Sequence, residues 1–285
     1  MGVVDVALSS SFYTVAMGVR RSRPAIPNAL FDILGGDVGA GAALALRATA
    51  LTIPPPTPLA NKQLSYPFLT LAVSNLRTAS RHAVRMGGAV VVVTGSAVRM
   101  GGAVVTGSGA VMGGAVAVVT GSGAVVAPAP KTEATLLDPA GRALRAVHRF
   151  RRAPIVSLTI GVRDAQAAAA FFVKALGARQ LTSVEGVSEA LLRSEGGATT
   201  AALAWGEEHN TTLLVLEQTC LHPETPAAAH NDDDAPTLSV IVSDVGAARA
   251  AFTAAQLPVA DDTAGGGFIA LCADGYAFKV LPNLT

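Results

Sequence analysis

The sequence predicts an α+β chain of tandem βαβββ modules, and three observations predict it. A short strand, a capping Asp or Asn and an Ala-rich amphipathic helix recur in that order at three places. Two segments each set an Asp/Gly turn between apolar runs, as a hairpin requires. The stretch 46–76 parallels 216–245 with one gap, so that a strand, a polar or proline-rich connector and the next strand return in the same order. Repetition over that distance marks a duplication, and it indicates the architecture before any single motif does.

Taken in chain order, the opening MGVVDVALSSSFYTVAMGVRRSRPAIP holds one acid, Asp5, several serines and the basic cluster Arg20, Arg21 and Arg23. Residues 1–45 read as a poorly structured segment whose Arg- and Ser-rich, acid-poor composition is that of an organellar transit peptide. The expected location is the cytoplasm or, if that segment acts as a signal, a plastid or mitochondrion. Residues 46–148 read as an incomplete module-bearing domain. Within it PFLTLAVSNLRTASRHAVRMGGAV gives a strand, an Asn75 cap and a helix that should stop at Gly87. ATLLDPAGRALRAV then supplies a hairpin with an Asp-x-x-Gly turn.

The same domain carries a Gly- and Val-rich insertion over 85–130, in which a unit close to MGGAVVTGSGAV recurs three times. Residues 100–130 carry one charge-free run, yet Gly, Ser and Thr interrupt it every few residues and its Val clusters favour strand over helix, which argues against a membrane span. It also fails as a dinucleotide-binding loop. Val126 stands where a small residue should open a helix, and Pro128 and Pro130 forbid a regular one. An expanded hairpin loop is the expected structure.

Residues 153–285 read as a complete domain. IVSLTIGVRDAQAAAAFFVKALGARQL gives a strand, an Asp164 cap and a helix ending at Gly177; TLSVIVSDVGAARAAFTAAQLPVA repeats the pattern with Asp244 and a helix running to Leu257. FIALCADGYAFKVL closes the domain with an Asp-Gly turn. One such module leaves its sheet incompletely covered, so modules are expected to pair within the chain.

Composition narrows function mainly by exclusion. Charged residues are 14% of the chain against roughly 25% in an average soluble domain, and the net charge is +1. No Lys/Arg stripe supplies the phosphate neutralisation on which nucleic-acid binding rests. Two cysteines, Cys220 and Cys272, are too few for a zinc cluster or a disulfide framework.

The strand–Asp–helix run LTIGVRDAQAAAAFFVKALGA and the turns DPAGRAL and ADGYAF resemble glyoxalase I, the lactoylglutathione lyases of the vicinal oxygen chelate superfamily, in two-domain form. The junction RALRAVHRFRRAPIVSLTIGV is similar to that family's linker between tandem domains. The resemblance implies a lyase that isomerises the methylglyoxal–glutathione hemithioacetal to S-lactoylglutathione. It implies a divalent cofactor, Zn or Ni, which stabilises the oxyanion that develops as a carbon acid beside a carbonyl loses its proton, while a Glu moves that proton.

Transferred residue by residue, the resemblance finds few of the family's donors. Its first metal ligand, His or Gln seven residues before the capping acid, falls on Ser157, Thr237 and Phe68. Its Glu four residues after the turn glycine falls on Arg145 and Lys279, and a cation at a divalent-metal position opposes metal binding. The remaining strand-borne Glu falls on Leu214 in ungapped register, or on Glu217 after a shift of three. The glutathione-contacting Arg falls on Gly161. Glu217 is therefore the candidate base and metal ligand, with Ser157 beside it as a further metal-site residue. Arg145 and Lys279 either face solvent or bind an anionic substrate. The five histidines read as helix or loop residues off the ligand positions, and the acidic run Asp232–Asp234 as a solvated loop. Two functions stand: the glutathione-adduct lyase, and a catalytically silent, metal-free binding or scaffolding protein with the same fold.

Overall fold

The computed structural model describes residues 2–3, 5–20, 31–35, 43–48, 68–91, 116–117, 133–148, 154–181, 200–205, 212–218, 237–262 and 266–283. Most of the Gly-rich insertion and the run Asp232–Asp234 lie outside the described residues. The chain divides into two compact units, one formed by 2–158 with 209–212 and the other by 159–208 with 213–285.

In the C-terminal unit, β13 (Thr237–Val242), α4 (Val245–Ala254), β14 (Val259–Asp262), β15 (Gly267–Leu271) and β16 (Ala277–Pro282) follow one another. Their sheet order is β13-β16-β15-β14, with β13 parallel to β16 and the other pairs antiparallel. β9 (Ile155–Val162), α3 (Ala165–Leu176), β10 (Arg179–Leu181), β11 (Thr200–Ala204) and β12 (Leu213–Gln218) repeat the order as β9-β12-β11-β10. The division between units falls inside β9.

Each helix starts where the sequence places its cap. Asp164 Oδ1 accepts the Gln166 and Ala167 N–H groups at 3.0 and 2.9 Å, and Asp244 Oδ1 accepts that of Ala247 at 2.8 Å. Both satisfy donors that a first helical turn otherwise leaves unpaired. α3 ends at Gly177 in the left-handed conformation, φ 65°. α4 stops at Ala254, short of Leu257, and there Gln256 takes φ 57°, a conformation that glycine adopts without cost.

Aromatic rings fill the C-terminal core. Phe171 of α3 meets Phe252 of α4 edge-on at 5.0 Å, Phe252 meets Phe268 of β15 at 5.7 Å, and Phe172 lies 5.0 Å from Phe278 of β16. Phe252, Phe268 and Phe278 are wholly buried, each contributing about 2–3 kcal/mol by burial.

The N-terminal unit contains β4 (Phe68–Val73), α2 (Leu76–Arg85), β5 (Ala89–Val91), β7 (Glu133–Leu137) and β8 (Ala143–His148) in the same order, β4-β8-β7-β5, with β6 (Val116–Ala117) beside β5. Asn75 caps α2 by accepting the Thr78 N–H at 3.0 Å. Ahead of this module stand β1 (Gly2–Val3), α1 (Val6–Ser11), a π-helical turn (Phe12–Ala16), β2 (Phe31–Gly35) and β3 (Ala43–Ala48). β1 is parallel to β3 and β2 antiparallel to it, the same relation that β13 and β15 bear to β16. Among the described residues this repeats the module's helix and three of its four strands.

This incomplete copy falls largely within residues 1–45, expected to be poorly structured; of these, 5–20 contain α1 and the π-helical turn. Phe12, Tyr13, Met17 and Val19 are at most 2% exposed. The sequence concealed it because β1 has two residues and α1 has six, too short to show a period. The expectation of one turn grammar is met more closely than its residues imply. Asp138 and Cys272 occupy one place: each accepts from the turn glycine, Gly141 or Gly275, at 2.9 Å and donates to the residue after it. Among the described residues no helix is long and apolar enough to cross a membrane.

Candidate functional site

Strand alternation puts the substituted family positions on the sheet face that turns away from the helices. In the C-terminal module Phe278 and Val280 point into the core, so Lys279 between them points to the other face. Its cross-strand neighbours are Ser239 on β13 and Ile269 on β15. Lys279 Nζ lies 2.9 Å from Asp262 Oδ2 at the end of β14, whose side chain is 9% exposed. The residue opposite Asp262 on β15 is Gly267, which has no side chain. A Cβ there would fall 1.9 Å from the Val280 carbonyl oxygen, so the position admits only glycine. Ile241, 62% exposed, and Ile269 give the rest of this face an apolar character.

The N-terminal module repeats the row. Arg145 of β8 stands between Thr70 of β4 and Thr135 of β7 and alternates with the buried Leu144 and Ala146. Thr70 and Ser239 both lie five residues before a helix cap, and Arg145 and Lys279 both lie four after a turn glycine. Two modules thus pair a hydroxyl on the first strand with a cation on the last, at the level where the resemblance implied a carboxylate.

Glu217 is the penultimate residue of β12, half-exposed and opposite Thr200 of β11. Ser157 is buried within β9 at 1% exposure, where its hydroxyl is a weak donor for a divalent ion. Thr237 and Phe68 begin β13 and β4. His82 lies on α2 as expected, while His148 ends strand β8 rather than lying on a helix or loop.

Sequence reasoning missed two features. Asp262 is the partner of Lys279, detectable only as one acid of the pair Asp261-Asp262 in a short strand. At Gly161, where the resemblance sought an Arg, the backbone N–H donates to the Tyr276 hydroxyl at 3.1 Å, and nearby Arg163 pairs with Asp274 at 3.3 Å. The β15–β16 turn is thereby fastened to the β9–α3 junction. Burial pushes the Tyr276 phenol up to about 12, the Gly161 N–H working against it, and burial likewise raises the Cys272 thiol.

A divalent ion needs several oxygen, nitrogen or sulfur donors around one point. Among the described residues no three His, Cys, Asp or Glu side chains form such a group. The positions at which the resemblance sought donors hold Ser157, Thr237, Phe68, Arg145, Lys279 and Leu214 or Glu217, and of these only Glu217 is a strong donor for a divalent ion.

No family model matches the sequence, and no curated protein matches it. Solved structures do match its fold. Glyoxalase I from Zea mays superposes with a TM-score of 0.59 at 16% identity, over 99% of this chain and 89% of that one. A mutant of glyoxalase I from Zea mays gives 0.60 at 15% identity, over 99% and 91%. The fold is that of glyoxalase I, a vicinal oxygen chelate fold. In this glyoxalase-like chain the likeness extends through all four modules, and identity at this level speaks for the backbone alone.

Proposed function

We propose that this chain is a catalytically silent, metal-independent binding protein on a glyoxalase I scaffold, and that its ligand is a small anionic molecule held at the face bearing Arg145. One observation carries the reading. Cations occupy the last-strand position of two modules, and Lys279 is already compensated by Asp262 at 2.9 Å. A lysine held by a carboxylate can neither abstract a proton from carbon nor ligate zinc or nickel. Arg145, flanked by two threonines, has the chemistry to hold a carboxylate or phosphate, because guanidinium and hydroxyl donors both suit oxyanions.

A second reading is the lactoylglutathione lyase, with Glu217 as base and a divalent ion bound beside it. The likeness over 99% of the chain to glyoxalase I from Zea mays favours it. Turnover of methylglyoxal plus glutathione separates the two. With Zn or Ni added, purified full-length protein is expected to run at the uncatalysed rate. Metal-dependent turnover abolished by Glu217→Gln would establish the lyase instead.

A further inference from the structure

The composition of the first residues is that of a removable targeting segment, but their packing is not. Phe12 and Tyr13 are buried and meet edge-on at 5.2 Å. A Cβ at Gly88 would sit 2.8 Å from the Phe12 ring and 2.5 Å from the Leu137 carbonyl, so glycine is needed there to admit the ring. The Tyr13 hydroxyl donates to Asp138 Oδ2 at 3.1 Å, while Asp138 Oδ1 accepts the N–H groups of Ala140 and Arg142 at 2.9 and 2.8 Å. The N-terminal segment and the β7–β8 turn therefore share one buried carboxylate.

From this packing we infer that residues 5–19 stay in the mature protein as a core element of the N-terminal unit, and that no proteolytic maturation removes them. A cleaved targeting segment must be dispensable to the fold it leaves behind. Loss of this one would uncover the apolar side of α2, empty the space beside Gly88 and strand a buried carboxylate without its phenol partner.

The test uses the full chain with a specific protease site placed between Arg21 and Pro27. After cutting under native conditions, the released N-terminal peptide, which carries residues 1–21, is expected to co-elute with the remainder in gel filtration and to separate only in denaturant. Tyr13→Ala should weaken that retention at least tenfold, and Tyr13→Phe less. The N-terminus of the protein isolated from its own cells, read by mass spectrometry, should lie at or before Asp5. Free dissociation of the peptide with an unchanged melting temperature, or a folded native form beginning after Val19, would overturn the inference.

Discussion

Lys279 and Asp262 join the last and second strands of the C-terminal module at 2.9 Å, with side-chain exposures of 31% and 9%. Removing the lysine leaves a nearly buried carboxylate without its counter-charge, whereas removing both charges leaves nothing to compensate. Lys279→Met is expected to cost about 1–3 kcal/mol in urea unfolding, and adding Asp262→Asn should recover much of that loss. Additive losses in the double variant would show that the two side chains do not depend on each other.

Asp138 gives the N-terminal unit a distinctive pH response. Its burial raises the carboxyl above the ordinary value, the Arg142 and Ala140 N–H groups and the Arg142 charge partly opposing the rise. A group with a raised folded-state value contributes stability that is complete below its unfolded value near 3.8 and lost as pH climbs through the folded one. Asn imitates the protonated form. The stability of Asp138→Asn relative to the parent should therefore increase from pH 4 to pH 7, and urea midpoints at those two values measure it. A constant difference would remove Asp138 from the pH profile.

The Tyr276 phenol, at about 12, follows the same sign. Its stabilising contribution is present below 10 and lost as pH rises toward 12. Tyr276→Phe is expected to cost about 1 kcal/mol at neutral pH, because the Gly161 N–H loses its acceptor, and to cost less as pH rises toward 12, where burial opposes the phenolate of the parent. An equal cost at pH 7 and near pH 12 would contradict the burial of the phenol.

Gln256 holds the left-handed conformation at the end of α4, where Gly177 does the same work after α3. Gln256→Gly is expected to stabilise the protein by about 0.5–1 kcal/mol, the relief of backbone strain exceeding the extra entropy of the unfolded chain. Loss of stability in thermal unfolding would mean that the Gln side chain contributes contacts worth more than the strain.

The three later modules were legible because each announces itself twice, by an Asn or Asp at a strand end and by a glycine at a helix or hairpin turn. Those signals are local, and Asn75, Asp164 and Asp244 act as the sequence implies. The first module was hidden because its helix is six residues long and its contact with the rest of the unit runs from Tyr13 to Asp138, 125 residues away. Of the candidate site the sequence showed two positions. Arg145 and Lys279 stand out by spacing from a turn glycine, but the Asp262 that answers Lys279 becomes visible only when strand register brings β14 and β16 to either side of β15. Arg163 escaped for the same reason, since its partner Asp274 lies in a distant turn.

The central claim is that cations have replaced the donors that would hold a divalent ion. Calorimetric titration of the full-length protein with nickel or zinc tests it most directly. No stoichiometric site is expected, and Lys279→Glu, which sets a second carboxylate beside Asp262, is expected to gain measurable binding. One tightly held ion per unaltered chain would contradict it.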